Sequence, residues 1–289
     1  MGDVIGYLLF DGRDSREWGV YVNSSGIHAA PERDIEEIEI PGRNGSLTID
    51  HGRFKNIEIE YPAFILDDYA NNIDEFKGYM YSRSGGYFKL EDSFSPDFYR
   101  RAKFNEALKP EAGMLDKYGK FTLTFNCDPR RFLKARDTLN IIREYTPLSG
   151  EHSKVYEAEI INPTFFASKP NIYFAGVYFK NVTFTAVIKV TNLDNENEYY
   201  TANFSTKAYG STEEFSRYLI KTEVGGLYEA HSTTTQPTED DLKFTTIKRE
   251  YLNLRFFKHT KLTITMDFTA SGTAGGAIGC YITPEWWTI

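Results

Sequence analysis

Cysteine, positive charge and long apolar runs are all scarce in this sequence, and each scarcity excludes a class of protein. Only two cysteines, Cys127 and Cys280, occur among the 289 residues. They show no CxxC spacing, which predicts two buried thiols rather than a disulfide framework or a zinc site. The net charge is -8, so the chain lacks the excess of lysine and arginine that tight nucleic-acid binding requires.

The chain also lacks the signals of membrane insertion and export. No stretch approaches the ~18 consecutive apolar residues of a membrane-spanning helix. The first residues, MGDVIGYLLFDGRD, carry acids where a signal peptide carries lysine or arginine. We therefore expect no membrane insertion, and synthesis in a cytoplasm without secretion by the usual route.

Motifs for catalysis and for cofactors are missing as well. The five histidines form no HxH or HExxH spacing, and no GxSxG nucleophile elbow occurs. Carboxylate pairs such as Glu157 with Glu159 could serve a glycosidase, but glutamates that alternate along a strand usually form a solvated face. The glycine-rich residues 271–279 follow a strand pattern too near the chain end for a dinucleotide fold, which predicts a loop between the last two strands. The sequence thus predicts no enzyme, no cofactor and no metal.

Aromatic residues are abundant, at 16% of the chain with 20 Tyr and 22 Phe. They occur in segments rich in Thr, Val and Ile, which suit half-buried strands better than helices. A mostly β protein is the first inference. One helix is predicted where Tyr69, Ile73, Phe76 and Met80 recur at spacings of three or four residues.

The segment EIEIPGRNGSLTIDHGRFKNIEIEY alternates apolar and polar residues in three runs, which predicts a three-strand meander. A strand pattern rather than a helix follows its GRNG core, so the core is a turn and not a phosphate loop. Turns that project from a rigid scaffold commonly contact other molecules. The predicted assembly contact is Pro41, Gly42, Arg43, Asn44 and Gly45.

Polar and basic residues across 130–155 favour a domain junction in that stretch. We expect an N-terminal β-rich domain with one helix at residues 1–142, a linker at 143–155 and a C-terminal β-sandwich at 156–289. Several short strand patterns without a convincing helix predict the sandwich. In its last segment, Trp286 and Trp287 should point to opposite faces of a strand, so that one anchors the core and the other meets a subunit or a sugar.

An ordered set of segments resembles the distal tail protein family of long, non-contractile-tailed bacteriophages. The segments, in chain order, are LLFDGRDSREWGVYV, IPGRNGSLTI, GRFKNIEIEYPAF, KLEDSFSPDFYRRAKF, GKFTLTFNCDPRRFL, NPTFFASKPNIYF and YITPEWWTI. The match covers almost all of residues 1–135, and beyond them it rests on the two ends of the C-terminal domain.

The resemblance implies a structural hub at the tail tip of a virion, assembled in the host cytoplasm. The N-terminal domain would form a homohexameric ring, and the C-terminal domain would be a galectin-like β-sandwich. Partners would be the tail tube protein, a tail-associated adhesion or lysin protein and receptor-binding proteins. The alternative function is a carbohydrate-binding module that recognises host cell-wall saccharides through Tyr199, Tyr200 or Trp287, and a tail-associated hydrolase is a third hypothesis.

Overall fold

The chain forms two compact β-rich units in the computed structural model. The structure describes residues 5–23, 27–66, 68–83, 85–112, 117–134, 138–145, 153–210, 212 and 214–289. The first unit is Met1–Lys134 with Thr288–Ile289, and the second is Ala135–Trp287. The strand Leu139–Tyr145 pairs within the second unit. The expected boundary at residue 142 and linker at 143–155 stay predictions, and residues 146–152 of that linker lie outside the described residues.

The first unit is built on a ten-stranded antiparallel sheet. Its elements are β1 (Ile5–Gly6), β2 (Leu8–Phe10), β3 (Arg13–Asp14), a 3-10 turn (Ser15–Trp18), β4 (Val20–Asn23), β5 (Arg33–Glu39), β6 (Ser46–Phe54), β7 (Ile57–Ile65), α1 (Tyr69–Ser82), β8 (Phe88–Asp92), β9 (Phe98–Lys103), β10 (Glu111–Ala112) and β11 (Gly119–Leu133). The strand order is β1-β4-β7-β11-β9-β8-β2-β3, and β10 and the final strand of the chain also pair with β11.

The helix α1 confirms its predicted spacing, because Tyr69, Ile73, Phe76 and Met80 are its buried residues. The Phe76 ring lies 5.6 Å from that of Trp18 in an edge contact. An amphipathic helix gains most of its stability from burying such an apolar stripe. The helix therefore covers one face of the sheet and closes the core.

The predicted three-strand meander is wrong in its third strand. The strands β5 and β6 form a separate two-stranded sheet, whereas β7 pairs with β4 and β11 in the large sheet. Alternate residues of β7, beginning with Ile57 and Ile59, are buried in the core. Periodicity predicts strands but not their neighbours, so the same alternation fits both arrangements.

The second unit is an eight-stranded antiparallel sheet that folds over itself. The elements of the second unit are β12 (Leu139–Tyr145), β13 (Ser153–Ile161), β14 (Asn171–Asn192), β15 (Tyr199–Ser205), β16 (Glu214–Lys221), β17 (Gly226–Ser232), β18 (Lys243–Ile247), α2 (Arg249–Asn253) and β19 (His259–Thr283). The order is β12-β19-β14-β16-β17-β18, with β13 on β19 and β15 on β14. The chain ends in β20 (Trp287–Thr288), a strand of the ten-stranded sheet. The five-residue helix α2 was not expected from the sequence.

Ring contacts show how one sheet makes a two-layered sandwich. Phe174 and Phe184 lie ten residues apart on β14, a distance of roughly 33 Å along a straight strand. Their ring centroids are only 5.8 Å apart, so the strand bends back on itself. The bend coincides with register shifts and with Asn181, whose φ of 53° lies in the left-handed region. The predicted β-sandwich is confirmed.

The glycine-rich residues 271–279 lie inside β19, so the prediction of a loop there is wrong. Gly279 pairs with Ala175 of β14. A Cβ atom at Gly279 would lie 3.2 Å from the carbonyl oxygens of both Ala175 and Arg143. Glycine therefore lets neighbouring backbones approach closely within a sheet, and the sequence pattern of such a strand is easily mistaken for that of a loop.

Candidate functional site: an exposed hairpin with an apolar face

The hairpin β5–β6 carries the predicted contact residues 41–45 at its tip. The N–H of Arg43 donates to the carbonyl oxygen of Ile40 at 3.1 Å, and Gly42 between them has a φ of 84°. Pro41 at the second position and a left-handed glycine at the third are typical of a type II turn. The turn is therefore dictated by local sequence, as predicted, and it holds Arg43 at the tip.

A shallow groove runs beside this tip. Its volume is about 780 Å³, and it is lined by Glu37, Glu39, Ile40, Pro41, Gly42, Arg43, Gly45 and Ser46. Two carboxylates and one guanidinium thus share the same small surface. Such a mixture of charges suits a complementary protein surface rather than a phosphate, which the glutamates would repel.

Cross-strand ion pairs hold the root of the hairpin together. Arg33 lies 2.7 Å from Asp50, and Arg53 lies 2.6 Å from Asp34. The hydrogen bond from Arg33 lowers the pKa of the Asp50 carboxyl, and that from Arg53 lowers the pKa of Asp34. Because a two-stranded hairpin is at best marginally stable in water, these pairs help to keep its register before any partner is bound.

The register divides the hairpin into an apolar face and an acidic face. Ile38 pairs directly with Leu47, and Ile49 lies two residues beyond Leu47 on the same face. Together with Ile40 they form the apolar face, and all four side chains are 38–40% exposed. Glu36 pairs with Ile49 and lies at the end of this face away from the tip. The acidic face consists of Ile35, Glu37, Glu39, Ser46, Thr48 and Asp50. The sequence analysis identified the tip but missed the apolar face, because alternation is equally typical of strands that cover their own core.

The structure separates the three aromatic residues predicted to contact saccharide or a subunit. Tyr199 and Tyr200 are neighbours on β15, so their side chains point to opposite faces. Tyr199 is 56% exposed, with the Lys189 ammonium 4.7 Å from its ring centre. Tyr200 stacks on Phe257 with 6.1 Å between the ring centroids. The two rings therefore cannot act together on one ligand.

One of the two tryptophans lies in the core and the other lies nearer the surface. Trp286 is buried, and its ring lies 5.9 Å from that of Phe256. Trp287 is half-buried and stacks on Phe166 with 4.3 Å between the ring centroids. Its indole N–H donates to the carbonyl oxygen of Ala167 at 3.1 Å. Because this polar atom and one face of the ring already have partners within the chain, Trp287 offers little to a sugar.

Surface carboxylates of the second unit, among them Glu157 of the pair considered for catalysis, have ordinary partners. Glu157 lies 2.9 Å from the Lys261 ammonium, and Asp194 lies 2.7 Å from Nδ1 of His259. Within the described ranges, no cluster of three or more His, Cys, Asp or Glu side chains could hold a metal ion. Neither helix in the described part of the chain is long and apolar enough to cross a lipid bilayer.

Two antiparallel β-rich units, one carrying a long helix and an exposed hairpin, define the class of fold to which this chain belongs. The fold is similar to that of the Dit protein of phage SPP1, described as a paradigm of hub adsorption apparatus in Gram-positive infecting phages. The TM-score is 0.51 at 11% identity, and the match covers 96% of this chain and 98% of that chain. A chain of the phage p2 baseplate in its activated conformation with Sr gives a TM-score of 0.49, again at 11% identity and with the same shares.

No protein-family model matches the sequence, and neither does any curated protein. At 11% identity the likeness to the SPP1 protein shows a shared fold. The fold extends over both units, because almost the whole of each chain is covered.

Proposed function

We propose that this chain is a structural subunit of the tail tip of a long, non-contractile-tailed phage. Six copies would form a ring that joins the tail tube to a tail-associated adhesion or lysin protein, and receptor-binding proteins would dock around it. The ordered segments described above and the fold shared with a hub adsorption protein support this function. The proposed role is to hold the other tail proteins in a fixed, symmetric arrangement, and no catalytic step is assigned to it.

The observation that carries the proposal is the apolar face of the hairpin β5–β6. Fully burying an aliphatic side chain is worth roughly 1.5–3 kcal/mol. The exposed two-fifths of Ile38, Ile40, Leu47 and Ile49 would therefore contribute about 2–5 kcal/mol if a partner covered them. A second copy of the chain is the proposed partner, because every subunit of a closed ring must present two complementary patches.

The tip residues 41–45 would lie in the same contact, with Arg43 facing acidic groups of the neighbouring subunit. The charge of the whole ring is consistent with a channel for DNA. Six copies at -8 each sum to -48, and acids along a lumen would repel phosphates and let the genome pass without binding. The ring would belong to the virion, and its subunits would be made in the host cytoplasm.

Light scattering over a concentration series tests the ring directly. The monomer mass is 33.2 kDa, so six copies should weigh 6 × 33.2 = 199 kDa. We expect the wild type to approach this mass as its concentration rises, because association follows mass action. A wild type that stays at the monomer mass throughout would contradict a ring formed by this chain alone.

Substitutions on opposite faces of the hairpin then locate the contact. Ile38→Ser combined with Leu47→Ser should abolish the large species, whereas Ile35→Ser should leave it unchanged. Ile35 is the matched control because it is 43% exposed on the acidic face. Arg43→Glu should weaken assembly by reversing a charge at the tip. Equal effects from both faces would show that the hairpin does not dock through its apolar side.

A further inference from the structure

A row of rings crosses one face of the sandwich in the second unit. The register pairs Tyr281 of β19 with Tyr173 of β14, Tyr173 with Leu219 of β16, Leu219 with Tyr228 of β17, and Tyr228 with Phe244 of β18. Directly paired residues point to the same face of a sheet. The row therefore runs perpendicular to the strands for roughly 19 Å, at about 4.8 Å per strand.

The rings of this row contact one another and a cation. Tyr173 and Tyr281 stack with centroids 4.6 Å apart and planes at 8°, and Tyr228 meets Phe244 edge to face at 5.6 Å. The guanidinium of Arg217 lies 5.8 Å from the Tyr173 ring centre and donates a hydrogen bond to the Tyr281 hydroxyl. The row thus consists of four rings and Leu219, with one guanidinium beside Tyr173 and Tyr281.

The segment 233–242 between β17 and β18 folds over the row at Tyr173, whose hydroxyl hydrogen-bonds with the carboxylate of Glu239. Gln236 donates from its amide to the carbonyl oxygen of Ser216 on β16 at 3.1 Å. Asp241 accepts from the backbone and the hydroxyl of Thr238, both at 2.8 Å. The segment is therefore fixed in place before any ligand arrives, which reduces the entropy that binding must overcome.

The covering segment leaves one end of the row open. Tyr173, under the segment, is only 8% exposed, whereas Phe244 on the edge strand β18 is 57% exposed. Between the segment and this edge lies a cleft of about 890 Å³, within the range of roughly 300–1,000 Å³ typical of ligand sites. Its lining is Glu229, Ala230, His231, Ser232, Thr235, Pro237, Asp240, Asp241, Lys243, Phe244 and Thr245.

The lining indicates a hydroxylated ligand rather than a protein. Beside Phe244, the hydroxyls of Ser232 and Thr235 and the carboxylates of Asp240 and Asp241 supply hydrogen-bonding groups. Glu229 and Lys243 pair with each other one residue along from Tyr228 and Phe244, so their side chains point to the opposite face of the sheet. A stable protein contact would instead expose a contiguous apolar core. A sugar ring presents a C–H face that packs on an aromatic side chain, while its hydroxyls need both donors and acceptors around it.

We propose that this cleft binds a neutral saccharide chain, with one ring stacked on Phe244 and the next directed along the row toward Tyr228. Asp240 and Asp241 of the covering segment place a formal charge of -2 beside the cleft. Anionic glycans are therefore repelled. The site is distinct from Tyr199, Tyr200 and Trp287, and it does not depend on the formation of a ring.

Calorimetric titration of the full-length protein tests the proposal. The probes are cellohexaose, maltohexaose and chitohexaose as neutral chains, and polygalacturonate as an anionic one. At least one neutral hexamer should bind, and Phe244→Ala should weaken it about tenfold through loss of the stacking face. Tyr199→Ala is the matched control, since Tyr199 is 56% exposed and lies outside the cleft, and it should leave binding unchanged.

Three outcomes would overturn the proposal. These are no binding of any neutral hexamer, equal loss in the Phe244 and Tyr199 variants, or polygalacturonate bound as tightly as the neutral chains. The thermal midpoint of Phe244→Ala should match that of the wild type, because the side chain is largely exposed. This match separates a lost contact from a lost fold.

Discussion

Phe204 offers the sharpest test of how the second unit is held together. Its side chain is 1% exposed and lies on β15, in one layer of the sandwich. Its ring stacks on Phe174 at 4.6 Å and meets Tyr218 edge to face at 5.1 Å, and both of these residues belong to the other layer. Phe204→Ala would therefore open a cavity where the two layers meet.

The expected fall in the unfolding midpoint depends on the free-energy cost of that cavity and on the size of the unit. A buried Phe→Ala substitution costs roughly 3–5 kcal/mol. The second unit spans residues 135–287, or 287 - 135 + 1 = 153 residues, a size at which each kcal/mol lowers the midpoint by roughly 2–4 °C. We expect the unfolding midpoint of this unit to fall by about 6–20 °C.

Differential scanning calorimetry measures the effect, and Phe125→Ala is the matched variant in the first unit. Phe125 is fully buried, and its ring lies 5.3 Å from that of Phe10. Each variant should lower one thermal transition and leave the other in place, since the chain forms two compact units. Movement of both transitions in either variant would refute independent units, and a fall below about 3 °C for Phe204→Ala would refute the role of its ring.

Two further predictions concern glycines and thiols. Gly119→Ala should lower the thermal midpoint of the first unit, because the new Cβ would lie 2.0 Å from the Tyr69 ring. Gly78 is exposed in α1 with open space around it. Gly78→Ala should therefore raise the free energy of unfolding by about 0.5–1 kcal/mol, measured by calorimetry. Burial raises the pKa of Cys127 to about 12 and raises that of Cys280 as well. Neither thiol should react with a disulfide reagent at pH 8 until denaturant is added, and rapid native labelling would contradict their burial.

The parts of the fold that depend on local chemistry could be predicted from the sequence. The helix α1 follows from the spacing of Tyr69, Ile73, Phe76 and Met80, which places them on one face whatever the rest of the chain does. Strand pairing could not be predicted, because it depends on residues far apart in the chain. The bend at Asn181, which makes two layers from one sheet, leaves no periodic signal at all.

The candidate sites also differ in whether local sequence or the pairing of distant strands determines them. Pro41 and Gly42 determine a type II turn locally, so the tip of the hairpin could be predicted. The row that includes Tyr173, Tyr228 and Phe244 exists only through the register of several strands. In the sequence alone these residues are isolated aromatic positions. The sequence analysis therefore predicts Tyr199 as a saccharide contact instead.

The hairpin β5–β6 and the strand β7 show why one sequence pattern has two structural outcomes. Both alternate isoleucine with glutamate, yet Ile59 of β7 is fully buried and Ile38 of β5 is 38% exposed. β7 has a strand on each side and a core beneath it, whereas two strands alone cannot bury a face. An apolar face kept on such a hairpin invites association, and the charges of Glu36, Glu37 and Glu39 between its apolar positions oppose indiscriminate pairing. The hairpin thus combines an apolar face that burial would stabilise with charges that favour a partner of complementary sign.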